Sequence, residues 1–183
     1  MLDDFEANAD MTILETERLS LRRLTVEDAG LIVELLNDAS FLRFIGDKGV
    51  RTSEDACQYI LSGPIDSYER HGFGLWLVET RGSETPVGIC GLLKRETLSD
   101  VDIGFAFLPE YRSLGYAYES AAAVLDYGRN VLGLQRVVAI ADDDNTGSIR
   151  VLEKIGMTFD RRIRLSSDSP EIRLLACSFS DLP

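Results

Sequence analysis

The chain predicts a single mixed α/β domain of the α+β type, built on one mostly antiparallel sheet of about seven strands with about four helices. Three observations carry this. First, the apolar runs Phe73–Glu79, Val87–Lys94 and Leu98–Phe107 follow one another across short polar turns, the pattern of an antiparallel meander. Second, a helical stretch from Tyr116 to about Asn130 separates the last of these runs from a short buried strand, Arg136–Ala141. A strand–helix–strand step of that length implies a parallel crossover. Third, the junction DIGFAFLPEYRSLGYA (Asp102–Ala117) stops its strand at Pro109 and enters the helix through a glycine loop. A glycine loop at a helix N-terminus offers free N–H groups and the positive end of the helix dipole, so it favours phosphate oxygens.

The remaining elements follow in order. Residues 1–14 read as a loose acidic arm and 15–183 as the domain. Glu17–Leu24 alternates polar and apolar side chains, as in a half-buried strand. Thr25, with Asp28 in the capping-box position, opens a helix over Val26–Asp38. Ser40–Asp47 is a short irregular aromatic segment. Thr52 and Asp55 repeat the cap before a helix to about Arg70. Small residues on the Tyr116–Asn130 helix (Ala117, Ser120, Ala121, Ala123) allow close packing on a sheet. Asn145 opens a helix that Gly156 closes, and Met157–Leu165 and Glu171–Phe179 form a closing strand pair around SSDSP.

Composition narrows the function classes. The chain has 183 residues and a formal net charge of −12, which argues against a nucleic-acid surface. No apolar run reaches bilayer length, and the acidic start lacks a signal-like basic region; the expectation is a cytoplasmic protein. Cys57, Cys90 and Cys177 are far apart, each in an apolar context, and read as reduced, buried thiols. With no CxxC and one histidine, no metal site is expected.

TERLSLRRL, HGFGLWLVE, PVGICGL, VDIGFAFLPEYRSLGYAYES and DDDNTGSIRVLEKIGMTF occur in this order across about Glu15 to Phe159. On these segments the chain resembles the GNAT superfamily of N-acetyltransferases, and within it the ribosomal-protein N-terminal (RimJ/RimL-like) branch and its relatives. The resemblance implies a splayed parallel strand pair and acetyl-CoA as co-substrate. It implies that the loop Arg112, Ser113, Leu114, Gly115, Tyr116, Ala117 and Tyr118 binds the cofactor, with the backbone N–H groups from Leu114 to Tyr118 facing the pyrophosphate. The pantetheine arm would lie in the splay beside Phe105 and Phe107, with Asn145 near the arm. The implied reaction is direct, sequential transfer of acetyl to an amine, carried by a protein N-terminus or a small molecule. The alternative is a non-catalytic acyl-CoA-binding sensor or regulatory module. Dimers are common among relatives, which leaves a homodimer open.

Strand parity places Asp102, Gly104 and Ala106 on one face, opposite Val101, Ile103, Phe105 and Phe107. Asp102 is the candidate base or amine anchor; a solvated strand-start aspartate is the alternative. A neutral amine must lose a proton during attack, so a base or water chain is required. Ser148, three residues after Asn145, is the candidate general acid or water-positioning hydroxyl, with a plain helix-start serine as the alternative. Many relatives carry a Tyr where this chain has Leu152. Phe41, Arg43 and Phe44 match the acceptor pocket, or else plug a loop. His71 is a candidate acceptor-side base, or a cation at a helix end. Trp76 is a candidate pocket wall, or core.

Overall fold

A computed structural model describes residues 12–179. Eight strands form one sheet in the order β1-β2-β3-β4-β5-β6-β8-β7. They are β1 (Thr12–Glu15), β2 (Leu19–Arg23), β3 (Leu75–Thr80), β4 (Thr85–Leu93), β5 (Val101–Phe107), β6 (Arg136–Ala141), β7 (Thr158–Ile163) and β8 (Ile172–Ser178). All neighbours are antiparallel except β5 and β6. The strand beyond the expected seven is β1. It takes Thr12–Leu14 out of the expected arm, and the rest of that arm lies outside the described residues. Its four residues are too short to show periodicity, and its place is fixed by pairing with β2.

The helices are α1 (Ala29–Leu36), α2 (Ala39–Phe44), α3 (Ser53–Ile60), α4 (Asp66–His71), α5 (Tyr116–Asn130) and α6 (Thr146–Lys154). α3 and α4 join through a π-helical turn, Leu61–Ile65, that accommodates Pro64, so they make the one long helix the sequence predicts. The element beyond the four expected helices is α2, in the segment read as irregular. Its start is set by Asp38, whose Oδ1 accepts from the N–H groups of Ser40 (3.0 Å) and Phe41 (3.3 Å). The expected capping box before α3 forms: Asp55 N donates to Thr52 Oγ1 (3.1 Å) and Thr52 N to Asp55 Oδ2 (2.9 Å).

Two cores flank the sheet. On one side α1, α3 and the loop at Val50 pack on Leu77, Ile89 and the half-buried Ala106. On the other, α5 and α6 pack on Trp76, Val78, Ile103 and Phe107. The predicted alternation along β5 therefore holds: Val101, Ile103, Phe105 and Phe107 face the α5 side and Ala106 faces the α1 side.

The feature that positions the site is the parting of β5 from β6. They pair only at Val101–Val137 and Asp102–Val138. Beyond that point the β6-facing backbone edge of β5 has no strand partner among the described residues, and α5 and α6 begin where the strands diverge.

Candidate active site

The loop between β5 and α5 holds an unusual run of backbone donors. Among the described residues, the N–H groups of Ser113 through Tyr118 make no hydrogen bond to protein. A helix leaves its first four N–H groups free, and this loop adds two more ahead of the first turn. Both Ser113 (φ 62°) and Gly115 (φ 87°) have left-handed backbone, the bend that gathers successive N–H groups into an anion-binding concavity. Pro109 starts a short 3-10 turn over Pro109–Tyr111, which sends the chain from the strand into the loop.

A groove of about 610 Å³ runs from this loop across the splay to α6. Phe105, Ala106 and Phe107 form one wall, and Gly115, Ala117 and Tyr118 form its head. Opposite stand Asn145, Ser148, Arg150, Val151 and Lys154. Gly147, Arg150, Val151 and Lys154 fall on one face of α6 at helical spacing, while Ile149 and Leu152 on the other face are buried. Arg150 and Lys154 thus add positive charge to the rim. Sequence reasoning missed them, although the spacing i, i+3, i+7 from Gly147 carries the signal.

The expected site residues divide into several groups. Phe105, Phe107, Ser113, Gly115, Ala117, Tyr118, Asn145 and Ser148 border the groove, as do Phe41 and Phe44 from α2. Asn145 caps α6, its Oδ1 accepting from the Ser148 N–H at 3.2 Å. Among the described residues the Ser148 hydroxyl makes no hydrogen bond to protein. Leu114 is half exposed beside the loop, and the Tyr116 ring lies under the Arg18 guanidinium, 4.8 Å away. Arg43 stands at the rim, over the Phe44 ring and paired with Asp144 at 3.1 Å.

Arg112 borders the groove, but its side chain works as a clamp. Nε donates to the Phe107 carbonyl (2.9 Å), Nη1 to Ser40 Oγ (3.2 Å) and Nη2 to Asp38 Oδ1. It ties the end of β5 to the start of α2, so the loop's anion-binding capacity rests on its main chain. Burial raises the Asp38 carboxyl, but the Arg112 and backbone donors outweigh it, and its pKa falls below the ordinary value.

Three expected residues, Trp76, His71 and Asp102, lie outside the groove. Trp76 is buried, 1% exposed, with its ring edge-on to Tyr127 at 5.3 Å; it is core and does not line the groove. Strand parity turns it toward α5, away from α2. His71 ends α4, stacks on Phe73 at 5.8 Å and borders a separate recess with Tyr59, Lys94 and Arg95. Its place at a helix C-terminus follows the structural alternative.

Asp102 is the most unusual titratable group. It is 1% exposed, on the face of β5 that carries Gly104 and Ala106, and outside the groove lining. Oδ2 accepts from Arg95 Nε at 2.9 Å, while Oδ1 is buried with no hydrogen-bond partner among the described residues. Burial pushes its pKa up, and Arg95 only partly offsets this. Leu152, where many relatives carry a Tyr, is buried in the core and brings no hydroxyl. Among the described residues, no cluster of three or more His, Cys, Asp or Glu is placed to hold a metal, and no helix is long and apolar enough to cross a membrane.

Comparison with known proteins gives the family. Residues 18–158 match the family model of the acetyltransferase (GNAT) domain. The uncharacterized N-acetyltransferase YnaD of Bacillus subtilis strain 168 is 31% identical over 144 residues, covering 79% of this chain and 81% of its own. The crystal structure of a GNAT-family acetyltransferase from Bacillus anthracis superposes with a TM-score of 0.76 at 28% identity, over 92% of this chain and 98% of that one. RimL, the ribosomal L7/L12 alpha-N-protein acetyltransferase, solved with coenzyme A, shares the fold (TM-score 0.78, 17% identity, 92% of this chain and 98% of that one). The chain belongs to the GNAT acetyltransferase family. Its class of activity is therefore acetyl-CoA-dependent acetyl transfer.

Proposed function

We propose that this protein transfers acetyl from acetyl-CoA to a primary amine by direct attack, and that the amine belongs to a protein N-terminus or a small molecule. The observation that carries this reading is the run of unpartnered N–H groups from Ser113 to Tyr118, set beside a strand edge with no neighbour. The residues fit coenzyme A in charge and form. The loop takes the diphosphate, Arg150 and Lys154 add positive potential, and the free edge of β5 accepts an extended amide-bearing arm as it would a strand.

Bound acetyl-CoA supplies an activated thioester. The chain's residues then have four tasks. The loop amides fix the donor. A β5 N–H near Phe105 or Ala106 stabilises the charge that develops on the thioester oxygen. Asp102, which lies behind the groove wall, draws off the amine proton through water. Its bare Oδ1 supports this role, because a buried carboxylate oxygen without a donor is costly unless a ligand or water supplies one. Ser148, whose hydroxyl is unengaged at the groove, donates a proton toward the departing thiolate. Phe41 and Phe44 border the acceptor end. The similarity to RimL, whose name specifies protein alpha-amino acetylation, is a likeness of fold and supports an N-terminal acceptor only in kind.

The test is thiol release from acetyl-CoA across a panel of peptides with free N-termini, polyamines, amino acids and aminosugars. Amine-dependent release is expected. Coenzyme A binding without turnover on any acceptor would contradict the catalytic roles and favour a sensor.

A further inference from the structure

We propose that Arg18, in the β1–β2 turn, is a positioning residue for the cofactor loop: it sets the Leu114–Gly115 peptide so that the Gly115 N–H is presented to the diphosphate. The inference rests on the reading that this loop holds coenzyme A. Arg18 lies 96 residues before the loop in sequence and does not border the groove.

Arg18 Nη1 donates to the Leu114 carbonyl at 3.0 Å. No peptide bond in the described chain is cis, and in a trans peptide the C=O and the following N–H point in opposite directions. Holding the Leu114 carbonyl on Arg18 therefore turns the Gly115 N–H away from Arg18.

The guanidinium is itself fixed. Nε donates to Glu119 Oε2 at 2.7 Å, and the Arg18 backbone N–H donates to Glu119 Oε1 at 2.8 Å. Thr16 Oγ1 donates to the same Oε1 at 2.6 Å, and the Tyr116 ring lies beneath the fork. The turn is held from behind by Arg81, whose N–H donates to the Arg18 carbonyl (2.9 Å) and whose Nη1 donates to the Thr16 carbonyl (2.8 Å).

Two otherwise puzzling features follow. Glu119 puts a carboxylate in the first turn of a helix whose N-terminus is to receive a diphosphate, which would repel it. Arg18 and Thr16 engage that carboxylate and offset its charge. Gly115 has left-handed backbone, which Asn also tolerates, yet a Cβ there would lie 3.1 Å from Arg18 Nη2. A side chain would press on the guanidinium that orients the loop. A lysine has one compact head and cannot bridge Glu119 and the Leu114 carbonyl as a planar fork does.

The experiment compares wild type with Arg18→Met, which keeps an apolar stem beside Tyr116, and Arg18→Lys. Coenzyme A is titrated by calorimetry, and the Gly115 amide is followed in ¹H–¹⁵N spectra. Loss of one oriented, charge-assisted donor should weaken coenzyme A binding by about tenfold in Arg18→Met. Arg18→Lys should fall between it and wild type. The Gly115 amide shift on saturation should be large in wild type and much reduced in Arg18→Met. Wild-type affinity in Arg18→Met, or a lowered Tm with the Gly115 shift intact, would overturn the role of Arg18 alone. No affinity in folded wild type would overturn the loop reading and this inference together.

Discussion

In the proposed function, Asp102 is the side chain that takes the proton. Its raised pKa comes first from burial, with Arg95 opposing. A carboxyl raised in the fold favours the folded state fully below its unfolded pKa, and that benefit is lost as pH rises through the folded value. As a base it must be ionised, so activity should climb as pH rises through that same raised value. Asp102→Asn should reduce kcat by about 100-fold or more and remove the acid-side limb of the pH–rate profile. An intact limb in that variant would assign the proton to another group. Trp76 is legible at this scale only in part. An apolar strand residue reads first as core and second as pocket wall, and the choice depends on which face meets α5. Its removal should act on stability: Trp76→Ala should cost about 3–5 kcal/mol in denaturant unfolding.

At the scale of elements, the loop into α5 was legible because glycine, proline and strand-end signals act locally. The side-chain work of Arg112 was not, because its partner Asp38 is 74 residues away and caps a six-residue helix with no periodicity of its own. Likewise β1 exists through pairing alone. The Asp38–Arg112 clamp ties the start of α2 to the end of β5, so the proposed acceptor and cofactor sides share one fastening. Asp38→Ala removes a cap of about 1 kcal/mol and also strands the Arg112 guanidinium. Thermal unfolding should show a loss larger than the cap alone, and a double cycle with Arg112→Ala should be strongly non-additive.

For the whole molecule, the sheet splits where β5 leaves β6, and two long-range carboxylates brace the rim of that split. Burial raises the Glu119 carboxyl, but its Thr16 and Arg18 donors outweigh this and bring it below the ordinary value, as the Arg112 and backbone donors do for Asp38. Carboxyls depressed in the fold contribute stability above their unfolded pKa and lose it as pH falls through the folded value. Stability should therefore decline as pH drops below about 4, and coenzyme A affinity with it. Replacing Glu119 with Gln should flatten that decline in urea titrations taken across the acid range. Apart from β1 and α2, the order of strands and helices was readable because each of those elements has its own period. The bracing was not, since it joins residues that only the closed fold brings together.

The central claim is that main-chain amides around Gly115 bind a diphosphate beside an open strand edge. Equilibrium titration of coenzyme A into wild type and Gly115→Val tests it most directly. A β-branched residue cannot hold left-handed backbone without strain and would press on Arg18. The account predicts saturable binding by wild type, weakened by about tenfold or more in a folded Gly115→Val protein. Equal affinity in the two proteins would contradict it.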